Sequence, residues 1–279
     1  DVRDGGDRLE NLEKMINAVE ETQKRGLNRA EHRLHLRCEL PHHTTLPLFE
    51  KLVGREPVSL VSLMDHSPGQ RQFANIEKYR EYYQGKYSLN DAEMARYEEE
   101  QLQLAAQWSQ PNRLSIAAMC RDRNIALASH DDATHDHVRE SHQLGSVIAE
   151  FPTTFEAAEA SRKHGMNVLM GAPNIVRGGS HSGNVAASRL ASLGLLDILS
   201  SDYYPASLLD AAFRVADDEN NSFTLPQAIR LVTKNPASAL NLHDRGEIAE
   251  GKRADLVLAH RKGEHIHIDH VWRQGKRVF

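Results

Sequence analysis

Apolar residues recur along this chain in two rhythms, one helical and one alternating. Leu9, Leu12, Ile16 and Val19 fall at helical spacing and predict an amphipathic helix over 7–25, with Asp7 as a cap and Gly26 as its stop. Residues 33–40 alternate strictly: Leu34, Leu36, Cys38 and Leu40 on one side, Arg33, His35, Arg37 and Glu39 on the other. That is a strand with one apolar and one polar face, ended by Pro41. A short helix over 44–53 and a second strand over 57–64 follow, the strand running out into Asp65-His66. From 125 to 205 the rhythm repeats. IALASHDD, SVIAEFP, NVLMGAPN and DILSSDYYP are each followed by a helix-like segment. Strand–helix alternation with polar residues at the C-terminal strand ends predicts an α/β protein, a (β/α)8 barrel of the TIM type.

Two stretches depart from the rhythm. Residues 73–108 are polar and tyrosine-rich, with two helix-like pieces joined around 85–88 and Ser88 and Asp91 set as a capping box. They read as a helical insertion over the barrel mouth, in position for a lid or a solvated hairpin. Pro111 is expected to open the next helix. Helices are expected over 207–217 and 224–234, with a third from 235. The tail, 246–279, carries short β-type runs at 254–259 and 266–273 between glycines and charged turns, too few strands for a stable sheet alone. The organisation expected is a barrel domain over 1–245 and a small all-β appendage over 246–279. The first helix has no strand before it and residue 1 is not methionine. The pattern therefore predicts that an N-terminal portion, with the first barrel strands, is absent from this chain.

Composition narrows the class. A net charge of −5 over 279 residues offers no general attraction for nucleic acid or membranes. No apolar run reaches the ~18 residues of a membrane span, and no signal peptide is visible, so cytoplasm is the default expectation. Cys38 and Cys120 are far apart in no metal-type spacing and read as free thiols.

The strand ends carry the candidate chemistry. Glu39, His66, His130, Glu150 and Asp202 close successive strands, and strand ends of a parallel barrel converge on one mouth. A divalent cation takes three or four N/O ligands and leaves a position for water, which this set can supply. Asp131 and Asp132 also fit as N-caps of the following helix, Asp132 the more so. Glu150 also fits as a carboxylate that orients a ligand histidine from behind. A second constellation is RGGSHSGN, from Arg177 to Asn184. Gly178, Gly179 and Gly183 permit close backbone approach. The amides, with a helix opening near Gly183, make an anion cradle, and Arg177, Ser180, His181 and Ser182 add donors. His181 fits as a metal ligand as well. Arg71, Lys78, Arg80 and Lys86 follow the second strand, as partners for a polyphosphate or as a solvated basic face.

With these residues in view a family resemblance follows. Gly246-Glu247-Ile248, Gly251, Ala254-Asp255-Leu256-Val257 and Gly275 resemble the C-terminal strand set of the amidohydrolase superfamily, where such strands complete a β-sandwich. LMDHSPGQ, ASHDDAT, GAPN–RGGSHSGN and SSDYYP resemble, over essentially the whole chain, the branch that hydrolyses a ribose 5-triphosphate. The resemblance implies that Glu39, His66, His130, Glu150 and Asp202 close barrel strands three, four, five, six and eight. His130 and Asp202 match the superfamily pattern directly. The chain departs from it at strand four, which ends in Asp65-His66 rather than a bridging lysine or glutamate, and at strand six, where Glu150 replaces a histidine. It also lacks the strand-one His-x-His or His-x-Asp motif. The implied reaction converts α-D-ribose 1-methylphosphonate 5-triphosphate to the 5-phosphate with release of diphosphate, in phosphonate catabolism through the carbon–phosphorus lyase pathway. The implied cofactor is one or two divalent ions, zinc before manganese or iron. Asp202 would be the general base and His130 catalytic beside it. Arg71, Arg177, Gly178, Gly179, Ser180, His181 and Asn184 would hold the substrate, a small molecule, in a monomer or homo-oligomer. Two rivals stand beside this reading: hydrolysis of a cyclic amide or nucleobase, and a non-catalytic piece of a larger assembly.

Overall fold

The structure is a computed structural model describing residues 7–180, 183–263 and 265–279. The chain divides into two units, one of Arg33–Met166 with the start of the first helix to Ile16, the other of Asn17–His32 with Asn167–Phe279.

In the first unit, four strands pair in parallel and in chain order: β1 (Leu34–Glu39), β2 (Val58–Met64), β3 (Ala126–His130) and β4 (Ile148–Glu150). Parallel strands covered on both faces read as unbroken apolar runs, and every residue of β3 and β4 is buried. β1 is the exception the alternation predicted. Its apolar side, Leu36 and Cys38 with Leu40 just beyond, enters a core with Phe49, Leu52 and Val53 of α2 (Thr45–Leu52) and its end. The same core takes Ile116, Ala117 and Cys120, and Ile16 of α1 (Asp7–Lys24). Its polar side faces the site described below. Cys38 and Cys120 are buried free thiols, and burial pushes the Cys120 thiol up to about 12.

The insertion differs from its expected outline in two ways. α3 (Ile76–Tyr87) is followed by α4 (Asp91–Asp122), one 32-residue helix that runs through Pro111 instead of opening there. A proline forfeits one backbone bond inside a helix, and tertiary contacts on either side of it offset that loss. The first half of α4 brings Met94 and Tyr97 to Phe73, Tyr79 and Tyr83. Beyond the proline, Asn112 donates to the carbonyls of Leu40 and His42, at 2.8 and 2.9 Å. The capping box at its start is Asn90 with Glu93, not Ser88 with Asp91. Ser88 instead takes the left-handed conformation that ends α3. α5 (His135–Gln143) and α6 (Phe155–Lys163) are capped by Thr134 and Thr154, so neither Asp131 nor Asp132 caps a helix.

In the second unit, β5 (Asn167–Gly171) and β6 (Ile198–Ser200) pair in parallel. The helices are α7 (Ala172–Arg177), α8 (Ala187–Ser192), α9 (Ser207–Asp217), α10 (Leu225–Arg230) and α11 (Lys234–Ala239). The tail forms an antiparallel sheet of β7 (Leu256–Lys262), β8 (His265–Arg273) and β9 (Lys276–Arg277). Gly246 turns into this tail at φ +91°, where an added Cβ would lie 2.9 Å from Ala237 Cβ and Lys234 Cα. Among the described residues no helix is long and apolar enough to cross a membrane.

Candidate metal centre

The polar side of β1 and the ends of β2, β3 and β4 meet in the first unit. His66 Nδ1 donates to Glu39 Oε2 at 2.6 Å, and the His66 backbone N–H donates to Glu39 Oε1 at 3.0 Å. His130 Nδ1 donates to Glu150 Oε2 at 2.7 Å. Each imidazole thus spends Nδ1 on a carboxylate from the neighbouring strand, which fixes its tautomer and leaves the Nε2 lone pair for a cation. Both Nε2 atoms lie near one carboxylate oxygen, Asp131 Oδ2, at 3.8 Å from His66 and 3.3 Å from His130. Among the described residues, His66, His130 and Asp131 each offer one ligand atom within 4.8 Å of the others.

This arrangement reassigns the carboxylates. Glu39 and Glu150 were expected as ligands; here both stand behind a histidine and orient it, the alternative the sequence allowed for Glu150 alone. The sequence left Asp131 open between the strand-end chemistry and a helix cap. Its backbone turns left-handed at φ +55°, with its N–H held by the Glu150 carbonyl at 3.0 Å, and the carboxylate swings toward the two imidazoles. A strand that continued straight would not place it there. Phe73 and Phe151 stand edge-on to His66 and His130, with centroids 6.1 and 5.7 Å away.

The electrostatics suit a cation. Burial pushes the Asp131 carboxyl up and Glu150 adds to this, against the opposing pull of His130 and His66. Burial opposes the His66 charge, but the hydrogen bond and charge of Glu39, with Asp131, more than offset it, and the imidazole is raised. Burial likewise works against the Glu39 carboxylate, and the His66 hydrogen bond reverses it, so Glu39 is lowered. Beside them, His35 Nε2 bonds Ser62 Oγ at 2.9 Å, and burial lowers its imidazole. Arg37 NH2 donates to His130 Nε2 at 3.1 Å. A guanidinium cation therefore faces the same lone pair, and a metal bound there would have to displace it. The donor set fits a divalent metal: two oriented imidazoles and a carboxylate in a low-dielectric pocket.

Of the remaining sequence candidates, Arg71 belongs to the first unit, and Arg177, Gly178, Gly179, Ser180, Asn184 and Asp202 to the second. Arg71 is buried and bound to Asp132 and Glu140, so its charge is committed inside the protein rather than presented to a polyphosphate. Burial brings its guanidinium down to about 10, with Arg113 adding to the effect. In the second unit, the backbone N–H groups of Gly178 and Gly179 donate to the carbonyls of Ile175 and Asn174, at 3.1 and 2.9 Å. Gly178 is the left-handed cap of α7, and α8 begins at Ala187 rather than near Gly183. The glycine loop thus closes a helix C-terminus, and these two amides are taken. Arg177 stays exposed and donates to Tyr203 Oη at 2.9 Å. Ser180 Oγ accepts from the Asn184 N–H at 3.3 Å. His181 lies outside the described residues. Asp202, exposed and at φ +49°, follows β6, and a Cβ added to Gly171 would lie 3.3 Å from its Oδ2.

Comparison with known proteins supplies the family. Residues 30–279 match the model of the amidohydrolase family. The chain belongs to the amidohydrolase family. Over all 279 residues this amidohydrolase is 89% identical to the alpha-D-ribose 1-methylphosphonate 5-triphosphate diphosphatase of Escherichia coli (strain K12), and it spans 74% of that enzyme. It is 34% identical to the adenine deaminase of Ligilactobacillus salivarius (strain UCC118) over 125 residues, 41% of this chain and 21% of the deaminase. Among solved structures, an adenosine deaminase from Xanthomonas campestris with bound zinc aligns at 17% identity and a TM-score of 0.47. That alignment covers 83% of this chain and 54% of the deaminase. Members of the family use divalent metals, and in this amidohydrolase the His66–His130–Asp131 cluster is the candidate for one.

Proposed function

We propose that this amidohydrolase is a metal-dependent diphosphatase. It hydrolyses α-D-ribose 1-methylphosphonate 5-triphosphate to the 5-phosphate and diphosphate. The observation that carries the reading is the 89% identity, over the whole chain, to an enzyme named for that substrate. In this reading His66, His130 and Asp131 hold the metal, zinc before manganese or iron, with Glu39 and Glu150 keeping both Nδ1 atoms protonated. A divalent cation held by these three residues would supply a water of pKa lowered toward ~7 and a charge to offset the phosphoryl group. Asp202 takes the proton of the attacking water as general base. Arg177 and Tyr203, already paired and exposed, hold phosphate oxygens of the chain, where a guanidinium binds two at once. Phe73 and Phe151 keep bulk water from the imidazoles.

The test is a diphosphate-release assay on the purified, metal-loaded protein with the ribose triphosphate, run beside an ammonia-release assay with adenine. The deaminase match favours the second reaction as the rival. Ammonia without diphosphate would replace this reading by deamination. Neither product from a metal-loaded protein would return the chain to a binding role.

A further inference from the structure

Behind the metal cluster lies a buried charge network that the proposed reaction does not use. Two guanidinia face three carboxylates. Arg113, reaching from the middle of α4, donates through NH2 to Asp65 Oδ2 at 3.2 Å and through NH1 to Glu140 Oε1. Arg71 donates through NH2 to Glu140 Oε2 at 3.1 Å and pairs through NH1 with Asp132 Oδ1. Glu140, on α5, therefore ties the two arginines together. Asp65 also accepts from the Ser67 hydroxyl and backbone N–H, and Asp132 accepts from Ser141 Oγ at 3.4 Å. Asp65, Arg71, Arg113 and Asp132 are all buried, and Glu140 has 35% of its side chain exposed.

The place of this network in the chain is what matters. Asp65 immediately precedes His66, and Asp132 immediately follows Asp131. Pinning the side chains of Asp65 and Asp132 restrains the backbone from which the adjoining His66 and Asp131 side chains project. Two of the residues concerned also have left-handed backbone, Asp131 at φ +55° and Arg71 at φ +44°. Non-glycine residues hold such angles only where their surroundings over-determine them. A network built for stability alone has no need to grip the flanks of both loops that carry candidate ligands.

We propose that Arg113, Glu140 and Arg71 are positioning residues: by clamping Asp65 and Asp132 they set the directions of His66 and Asp131, and they couple the long helix α4 to the metal centre. This rests on the metal-binding reading above. It goes beyond that reading in assigning a function to groups that touch neither metal nor substrate. It also gives Arg71 a task other than holding phosphate.

The experiment titrates cobalt(II) into the full chain and follows the d–d absorption, which reports ligand geometry directly. Wild type is compared with Arg113→Met, Arg113→Lys, Glu140→Gln and the core control Leu52→Ala. Arg113→Met and Glu140→Gln are expected to weaken cobalt binding ~10–100-fold, the usual consequence of losing an orienting partner, and to alter the d–d spectrum. Arg113→Lys should recover only part of the loss, because an ammonium cannot span Asp65 and Glu140 as a fork does. Leu52→Ala should lower the melting temperature and leave the spectrum unchanged. Wild-type affinity and spectrum in both Arg113→Met and Glu140→Gln overturn the proposal. So does an equal cobalt defect in Leu52→Ala, which would make the network merely structural. If Arg113→Met fails to fold, the half-exposed Glu140→Gln decides the matter alone. A wild-type chain that takes up no cobalt sinks the metal reading itself, a distinct outcome from variants that bind as well as wild type.

Discussion

A histidine–carboxylate pair occurs in two settings in this molecule. At the strand ends of the first unit, His66 meets Glu39 at 2.6 Å and His130 meets Glu150 at 2.7 Å. In the tail sheet, His260 Nδ1 meets Asp269 Oδ2 at 2.8 Å. The distances barely differ; the surroundings do. The strand-end pairs are largely buried, and their Nε2 atoms, His130's accepting from Arg37, converge on Asp131. The His260 side chain is 54% exposed, and its ring stacks on His267, its cross-strand partner. A histidine–carboxylate contact therefore says little about function by itself. It becomes ligand orientation where burial makes the carboxylate the imidazole's fixed partner and the second nitrogen looks at another donor.

Removing a ligand should break the contrast most severely. His130→Ala is expected to abolish stoichiometric cobalt or zinc binding and diphosphate release together, a loss larger than the ~10–100-fold typical of deleting an orienting partner. Equilibrium dialysis with metal analysis measures it. Retained stoichiometric metal in that variant would show that the ion, if any, lies elsewhere. Next in size is Glu150→Gln, which keeps the shape but lets His130 choose the other tautomer. Metal affinity should fall ~10–100-fold, with folding largely preserved.

Acidity sharpens the comparison further. Metal needs the neutral imidazole, and Glu39 raises the pKa of His66. Proton competition therefore begins above the ordinary imidazole range, and below it the apparent affinity should drop roughly tenfold per pH unit for each proton displaced. The metal-free pair behaves in the opposite sense. The raised His66 contributes stability that is fully present below its unfolded pKa and is lost as pH rises through the folded value. The lowered Glu39 contributes stability that is present above the ordinary carboxylate pKa and is lost as pH falls through its depressed value. Apoprotein stability should thus decline on the alkaline side, where metal binding strengthens. Melting curves with and without zinc from pH 5 to 8 should therefore diverge with rising pH; parallel curves would remove His66 from the ligand set.

Much of this was visible before any coordinates. Strict alternation in 33–40 separated the core face of β1 from its chemical face, and the βα rhythm placed polar residues at strand ends. Which strand-end atoms converge was not visible, because that turns on one dihedral. Asp131 faces the imidazoles through its left-handed backbone, while Glu39 and Glu150, on straight strand, face the backs of the histidines. Pro111 misled for another reason. Local rules open a helix at proline, whereas Asn112 and Arg113 make contacts from 70 and 48 residues away that keep α4 continuous. Glycine serves helix C-caps and anion cradles alike, and the hydrogen bonds of Gly178 and Gly179 commit those two amides to the cap, which local sequence does not reveal. Arg71 looked like a phosphate ligand because neither its burial nor its carboxylate partners are local in sequence.

The smallest expected effect comes from the tail. Asp269→Asn removes the charge beside His260 and leaves an amide that can still accept a hydrogen bond. An exposed pair of this kind is worth ~0–1 kcal/mol, because water solvates both groups and salt screens them. The variant should therefore melt within about 0.5 kcal/mol of wild type and bind cobalt with the same affinity and spectrum. The test is informative because the hydrogen-bond length is nearly that of the His130–Glu150 pair. If Asp269→Asn matched Glu150→Gln in its effect on metal, contact geometry rather than burial would set the value of such pairs. The tail sheet would then have to be counted as part of the metal-binding apparatus. If it is silent, the 2.6 and 2.7 Å contacts at the strand ends owe their importance to the low-dielectric pocket and to the Asp131 carboxylate beyond them.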